Sequence, residues 1–336
     1  MKSRRTVLTG AAALIGYAAL GPDAHAQQTG TVRLRVGNVY PATHTIPVAT
    51  GRFKQLAEQR SGGRISVAVY NNSELGSERE MAEMVRGGSL EMVLSGLPGT
   101  GAYAPEIEVM EAFYVYRNVE DLKAITDAIY DDLQGFVQPK GFHLVGLMYQ
   151  GPRNVLSTRQ LKTLADFRGL RLRIPNTPLF VGLARGWGAT PTAIALAEVY
   201  TSLESGVIAA LEATHETMVT SNFHEKAKFL LTTRHNHYPQ PIVVNKAWFD
   251  RLPKDLQDII TTSAQEAAAY QLTLHKAADE QALATMRAAG VTITELSDAE
   301  IQAFRAPLVD MNRQHFANRG PKVVEVYEKM LKLSKF

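Results

Sequence analysis

The chain has 336 residues, 45% of them hydrophobic and 21% charged, with a formal net charge of +3. That length and balance allow a large core and two domains, and no basic run or aromatic–basic interleaving gives a nucleic-acid footprint. The sequence holds no cysteine, which excludes disulfides, thiolate catalysis and Cys-based zinc sites.

The first 26 residues read as an export signal. "MKSRRTVLTG" is a basic start, "VLTGAAALIGYAALG" an apolar core too short for an ordinary membrane helix, and "AHA" before "QQTG" a small-residue cleavage site. The mature chain is therefore expected to begin near Gln27. Arg4-Arg5 within "SRRTVL" resembles a twin-arginine signal, and a Sec signal with two ordinary basic residues is the alternative. Cleavage would remove Lys2, Arg4, Arg5 and Asp23, a net +2, leaving about +1. No later stretch has the uninterrupted apolar length of a membrane span.

From Val32 the chain alternates strands and helices. "VRLRVGNVYP" is a strand and turn, and "TIPVATGRFKQLAEQR" an amphipathic helix closed by Gly62-Gly63. "ISVAVYNNSELG" is a second strand and turn. "SEREMAEMVRGGS" is a helix with Ser77 as its cap and Gly87-Gly88 as its stop, and "LEMVLSG" a third strand. The pattern restarts with strands in "HLVGLMYQGPRNVLS" and "LRLRIP". Helices "TPLFVGLARGWG" and "ALAEVYTSLESG", strand "VIAALEAT" and the apolar "YPQPIVVN" follow. From Pro253 to about Ala289 runs a nearly Gly- and Pro-free helical pattern, roughly 55 Å long at 1.5 Å per residue, long enough to bridge two lobes. "VVEVYEKMLKLS" is the last helix. This order predicts an α/β chain of two doubly wound lobes with a cleft between them.

Several local motifs lead nowhere. "GTGAYA" (Gly99 to Ala104) fits G-x-G-x-x-A, but Pro105 follows at once and the motif comes after the third strand, so a glycine-rich loop is the better reading. Nine histidines include His235-Asn236-His237 but no H-E-x-x-H and no set of convergent zinc ligands. Neither a nucleophile elbow nor a Walker loop is present. The arginines are more informative. In "FRGLRLRIPNTP", Leu170, Leu172 and Ile174 alternate with Arg171 and Arg173, and Pro-Asn-Thr-Pro ends the run. Arg173 thus closes a strand just before a helix start, with Asn176 in the turn. A guanidinium fork there can take a carboxylate two-by-two, next to free helix N–H groups. The competing reading is that Arg171 and Arg173 are both solvated edge charges, or are satisfied by Asp166 or Glu198. Arg153, just after a strand and the Gly-Pro turn of "YQGPRNVLS", is a second candidate, while Arg171 reads as structural.

With those residues in hand, the chain resembles the periplasmic solute-binding proteins of tripartite ATP-independent periplasmic (TRAP) transporters, the DctP type. The likeness covers essentially the whole mature chain. It rests on an ordered series: "ELGSEREMAEMVRGGSLEM", "FRGLRLRIPNTPLF", "GWGATPTAIALAEVYTSLESGVIAALEA", "FLLTTRHNHY" and "FDRLPKDLQDII". It implies a periplasmic-binding-protein-like α/β fold of two lobes, a hinge and a long helix spanning both. Residues 27–150 with about 239–278 would form lobe I, residues 151–238 with about 279–320 lobe II, and about 321–336 a helix packed across them.

The resemblance implies an exported, periplasmic receptor that closes over a small organic acid and docks on a permease of one small and one large subunit. It implies a monomer, with dimerisation through the late helices, as in some members, the alternative; it also implies no catalysis, no cofactor or metal, and no ATP binding. The family's carboxylate-binding arginine falls on Arg173, its second ligand-facing arginine on Arg153, a bulky pocket residue on Leu196 and a conserved-pattern glutamate on Glu212. The asparagine that often contacts ligand is Ala213 here, which favours a smaller or less hydroxylated acid unless His215 supplies the missing contact. Thr43, His44, Ser95 and Gly96, at strand ends of the first lobe, and Tyr149 and Asn236 complete the expected cleft. An exported α/β enzyme acting on a small carboxylate, or a receptor of another uptake or sensing system, is the alternative.

Overall fold

A computed structural model describes residues 30–94 and 96–336. The export signal and Ser95 therefore lie outside the described residues. Among the described residues, nine strands form one sheet: β1 (Val32–Gly37), β2 (Ile65–Tyr70), β3 (Met92–Leu94), β4 (Phe142–Ser157), β5 (Arg171–Ile174), β6 (Thr190–Ala193), β7 (Ala210–Thr214), β8 (Phe229–Asn245) and β9 (Thr292–Thr294). Their order is β2-β1-β3-β8-β4-β7-β5-β6, with β9 beside β8.

Parallel trios stand at both ends of the sheet. β1 pairs parallel with β2 and β3, and β5 pairs parallel with β6 and β7. The two long strands β4 and β8 run antiparallel between the trios and join them. Each trio is built from strand–helix–strand crossovers, which place the C-terminal strand ends and their loops together. Residues 31–336 pack as one compact unit.

The local signals act as their chemistry predicts. Ser77 and Glu80 form a reciprocal capping box at the helix Glu78–Gly87, and Gly88 ends it in the left-handed conformation with φ 80°. Thr177 caps the helix Pro178–Gly186, with Pro178 in its first turn. The long helix, Lys254–Ala288, has 35 residues. It buries Leu256, Ile260, Ala264, Ala267, Gln271 and His275 at three- and four-residue steps. That stripe packs on helix Thr45–Arg60, which follows β1, on the central strand β4 and on the short helix His215–Thr220, which follows β7.

Several features differ from the sequence reading. The Gly-Pro at 151–152 does not end a strand: β4 continues through it as an irregularity in the pairing with β8 between Tyr149 and Pro152. A β-bulge is where a central strand tolerates a proline. Gly151 is needed there, because a Cβ would stand 2.7 Å from the His275 ring of the long helix. Second, β5 lies between β6 and β7, so Arg171 and Arg173 are not on an edge strand. Third, helices Val119–Ala128, Tyr130–Val137 and Asp298–Ala317, the last with Pro307 inside, cover stretches where no helix was read.

Candidate functional site

The strand ends of the two parallel trios converge on a cavity of about 460 Å³. Val39 follows β1, Ser73 and Gly76 to Arg79 follow β2, and Pro98 follows β3. Opposite them stand Arg173 and Asn176 at the end of β5 and Ala193 to Glu198 at the end of β6. A recess of about 30 Å³ continues inward past Arg153, Ala213, Thr217 and Tyr238. Val39, Glu78, Arg173 and Leu196 line both spaces. This is the crevice at the carboxyl ends of strands where α/β sheets bind ligands.

Arg173 is 4% exposed. Its Nε and one terminal nitrogen donate to the Ile194 carbonyl at 3.1 and 2.9 Å. Neither Asp166 nor Glu198 satisfies it: Asp166 caps its own turn through Lys162 and Thr163, and Glu198 accepts from Ala195 N–H. Among the described residues no carboxylate forms an ion pair with it. Burial pushes its pKa down to about 10, Glu212 and Glu78 pull it up, and Arg153 pushes it down. Arg173 therefore remains a cation at neutral pH, with donors left over on the cavity wall. A buried cation without a paired anion is costly, so this site is built for an anionic group.

Glu78 faces the same space. It is the first residue of helix Glu78–Gly87, and its Oε1 accepts from the Gly96 N–H at 2.6 Å. Burial raises its pKa above the ordinary carboxyl range, outweighing the Gly96 N–H, Arg173, Gln240 and Arg153, which pull it down. The cavity thus offers a cation and a strong acceptor side by side. One suits a carboxylate and the other suits hydroxyl hydrogens. The sequence reading missed Glu78, because a carboxylate beside Ser77 at a helix start is fully explained as helix-end electrostatics.

Arg153 and Glu212 form a buried pair. β4 and β7 put Val155 opposite Glu212, so Arg153 lies diagonally across on the same face. Arg153 bonds both carboxylate oxygens, at 2.5 and 2.7 Å, and the Glu212 carbonyl at 3.1 Å. His235 Nε2 meets Glu212 Oε2 at 3.2 Å. Tyr238 and Phe180 stack their rings 4.5 and 5.2 Å from the guanidinium. The Glu212 pKa is raised by burial, but Arg153 and the His235 bond outweigh that and hold it below the ordinary range. Glu212 is fully buried and lines neither space, whereas Arg153 lines the recess.

The other expected residues divide. Leu196 and Asn176 line the main cavity. Gly96 stands behind Glu78, and a Cβ there would fall 1.8 Å from the Tyr238 hydroxyl. His44 does not line the cavity. It caps helix Thr45–Arg60 by accepting from Ile46 N–H at 3.2 Å. Thr43 beside it is exposed. His215 is held by Asn154 at 2.8 Å and by Asp279 of the long helix at 2.9 Å, so both ring nitrogens are used away from the cavity lining. Asn236 donates to the Glu111 carbonyl, and the Tyr149 hydroxyl lies 3.5 Å from Thr126, so neither side chain joins the lining. Arg171 is exposed and bonds the Gly206 and Val207 carbonyls. Among the described residues no cluster of His, Asp and Glu could hold a metal ion.

Two parallel trios joined by antiparallel strands, with a cationic crevice at their strand ends, define a solute-binding protein of the periplasmic-binding-protein-like α/β class. A family model, DctP, described as bacterial extracellular solute-binding protein, family 7, matches residues 36–319, and the chain belongs to that family. It is 30% identical over 311 residues, 92% of this chain and 93% of the other, to the 2,3-diketo-L-gulonate-binding periplasmic protein YiaO of Escherichia coli. A TRAP periplasmic solute-binding protein of Roseobacter denitrificans with bound β-D-glucuronate superposes with a TM-score of 0.83 at 26% identity, covering 89% of this chain and 99% of the other. Another, from Actinobacillus succinogenes with bound L-galactonate, gives 0.83 at 25%, covering 90% and 100%.

The protein is an extracytoplasmic solute receptor of the TRAP type, a class that binds small carboxylates and works with membrane permease subunits. Family members are periplasmic, and no helix among the described residues is long and apolar enough to cross a membrane.

Proposed function

We propose that this receptor takes a polyhydroxylated carboxylate of sugar-acid size, with the carboxylate on Arg173 and a ligand hydroxyl on Glu78. The observation that carries the reading is the buried, unpaired Arg173 beside the Glu78 acceptor in one cavity. The relatives' ligands, 2,3-diketo-L-gulonate, β-D-glucuronate and L-galactonate, support it. Ala213 removes one polar contact, which on sequence grounds argued for a less hydroxylated acid. Glu78 offers a polar group in the same space, so the hydroxylated class is the better reading. Arg153 tightens the site through its charge while remaining locked to Glu212.

Residues 27–150 with about 239–278, and 151–238 with about 279–320, would move as two lobes about β4 and β8. The ligand would draw them shut because it contacts both walls only in the closed state. The chain would be exported by cleavage near Gln27, act as a monomer without chemical turnover, and hand its ligand to a small and a large permease subunit.

The test is a thermal-shift panel of uronates, aldonates, C4-dicarboxylates and their amides on the mature protein. A ligand at a hundred times its Kd stabilises by about 2.7 kcal/mol, a shift of a few degrees for a chain of this size. A shift with uronates or aldonates, absent for their amides and for Arg173→Ala, is expected. No shift with any acid, in protein cleared of co-purified ligand, would overturn the reading.

A further inference from the structure

Beyond the carboxylate chamber the cleft opens into a second space of about 340 Å³. The two share Val39, Ser73, Leu196 and Ala197, so they adjoin at Leu196. Their chemistry differs. The first is lined by Glu78, Arg79, Arg173 and Glu198. The second is lined by no charged residue or histidine at all. Its polar groups are amides and hydroxyls, Asn72 and Ser73 on one wall and Thr220, Ser221 and Asn222 on the other, with Tyr200 and Phe223 as aromatic surface.

The backbone around this space is unusual. Five non-glycine residues among those described have positive φ, and three of them line it: Asn72 at 52°, Ser73 at 60° and Asn222 at 59°. Left-handed backbone at non-glycine residues is uncommon and clusters at sites that grip ligands. Thr220 is occupied, since its hydroxyl donates to the Glu216 carbonyl at 2.9 Å. The side chains of Asn72, Ser73, Ser221 and Asn222 bond to no other described residue, so their donors and acceptors remain for an occupant.

We propose that this space is a second, uncharged subsite that takes a neutral sugar unit carried on the far side of the acid, so that the receptor accepts a glycosylated sugar acid as well as a single one. The proposal rests on the carboxylate reading above, because Arg173 must orient the acid end. Neutral amides and hydroxyls pair with sugar hydroxyls in both senses, and an aromatic wall covers apolar sugar faces without a charge penalty. Its two walls come from the loop after β2 and from the turn after helix His215–Thr220, on opposite sides of the cleft. A second sugar would therefore bridge them.

The experiment is calorimetric titration of the mature protein with three single acids, gluconate, galactonate and glucuronate, and three aldobionates, lactobionate, maltobionate and cellobionate, whose linkages differ. At least one aldobionate should bind within about tenfold of the best single acid, or more tightly. Ser221→Trp should then weaken that aldobionate by at least about tenfold while leaving the single acid within about threefold. Retained single-acid binding also shows that the variant folds. If every aldobionate binds far more weakly than the single acids, or if Ser221→Trp weakens both alike, the subsite is overturned while the carboxylate reading stands. If no single acid binds, or Arg173→Ala leaves single-acid binding unchanged, the carboxylate reading fails and takes this one with it.

Discussion

Arg173 is held by one carbonyl oxygen and left without a carboxylate, and this makes it expensive to the fold and useful to a ligand. Arg173→Ala should weaken binding of the cognate acid by about 2–5 kcal/mol, at least about thirtyfold in Kd, because the lost pair is buried and charge-assisted. Arg173→Lys should recover little, since an ammonium cannot supply the planar fork. Without ligand, Arg173→Met should unfold at or above the wild-type temperature, because it removes an unpaired buried charge. A large drop in melting temperature would mean that the Ile194 contact, and not a ligand, is its purpose. Glu212 contrasts with it. Glu212→Ala strands Arg153 as an unpaired cation, and a loss of about 3–5 kcal/mol in urea unfolding is expected. Glu78→Gln keeps the size but weakens the acceptor, so affinity for a polyhydroxy acid should fall more than affinity for its deoxy analogue, measured by titration of the pair.

At the scale of elements, the short helix His215–Thr220 ties distant parts of the chain together. Its Glu216 accepts from the Thr45 N–H at 2.6 Å and the Thr45 hydroxyl at 3.0 Å, at the start of helix Thr45–Arg60. Gln271 of the long helix donates to the same hydroxyl at 3.1 Å. Burial raises the Glu216 pKa to about 7, against the lowering by the two Thr45 bonds. The folded protein thus holds a proton here that the unfolded chain, with an ordinary carboxyl, releases near pH 4.5. Between those values the native state binds more protons, so this group's contribution to stability falls as pH rises toward 7. His44 works in the opposite sense, because burial lowers its pKa to about 3. The clean measurement is a difference. Glu216→Gln should gain stability relative to wild type between about pH 5 and 7 in thermal unfolding, and a pH-independent difference would show that Glu216 does not titrate there.

For the whole molecule, the arrangement is two parallel trios and one shared antiparallel pair. The long strands β4 and β8 pass from one trio to the other, and the long helix packs along β4. A closing motion must then be absorbed in those strands, where the Gly151-Pro152 irregularity already interrupts regular pairing. If the proposed lobes close on ligand, small-angle scattering of the mature protein should show a smaller radius of gyration with the cognate acid than without it. An unchanged radius with saturating ligand would remove the hinge from the account.

Much of this was legible in the sequence because it depends on near neighbours along the chain. Ser77 as a helix cap, Gly87-Gly88 as its stop, and the long Gly-poor helix follow from local backbone chemistry, and each stands as read. Arg173 could be singled out because strand, turn and helix start are contiguous in "RLRIPNTP". The tertiary structure decided what depends on partners far away in sequence. Glu212, separated from Arg153 by 59 residues, became its lock and not a wall of the cavity, because β4 and β7 pair in that register. His44 and His215 became a cap and a clasp to the long helix, since the nearest atoms for their ring nitrogens belong to other elements. Glu78 entered the cavity only because β1, β2 and β3 bring its helix start opposite β5 and β6. A pattern of residues states which chemistry is available, but the charge left unpaired in the crevice is known only after every other group has found its partner in three dimensions.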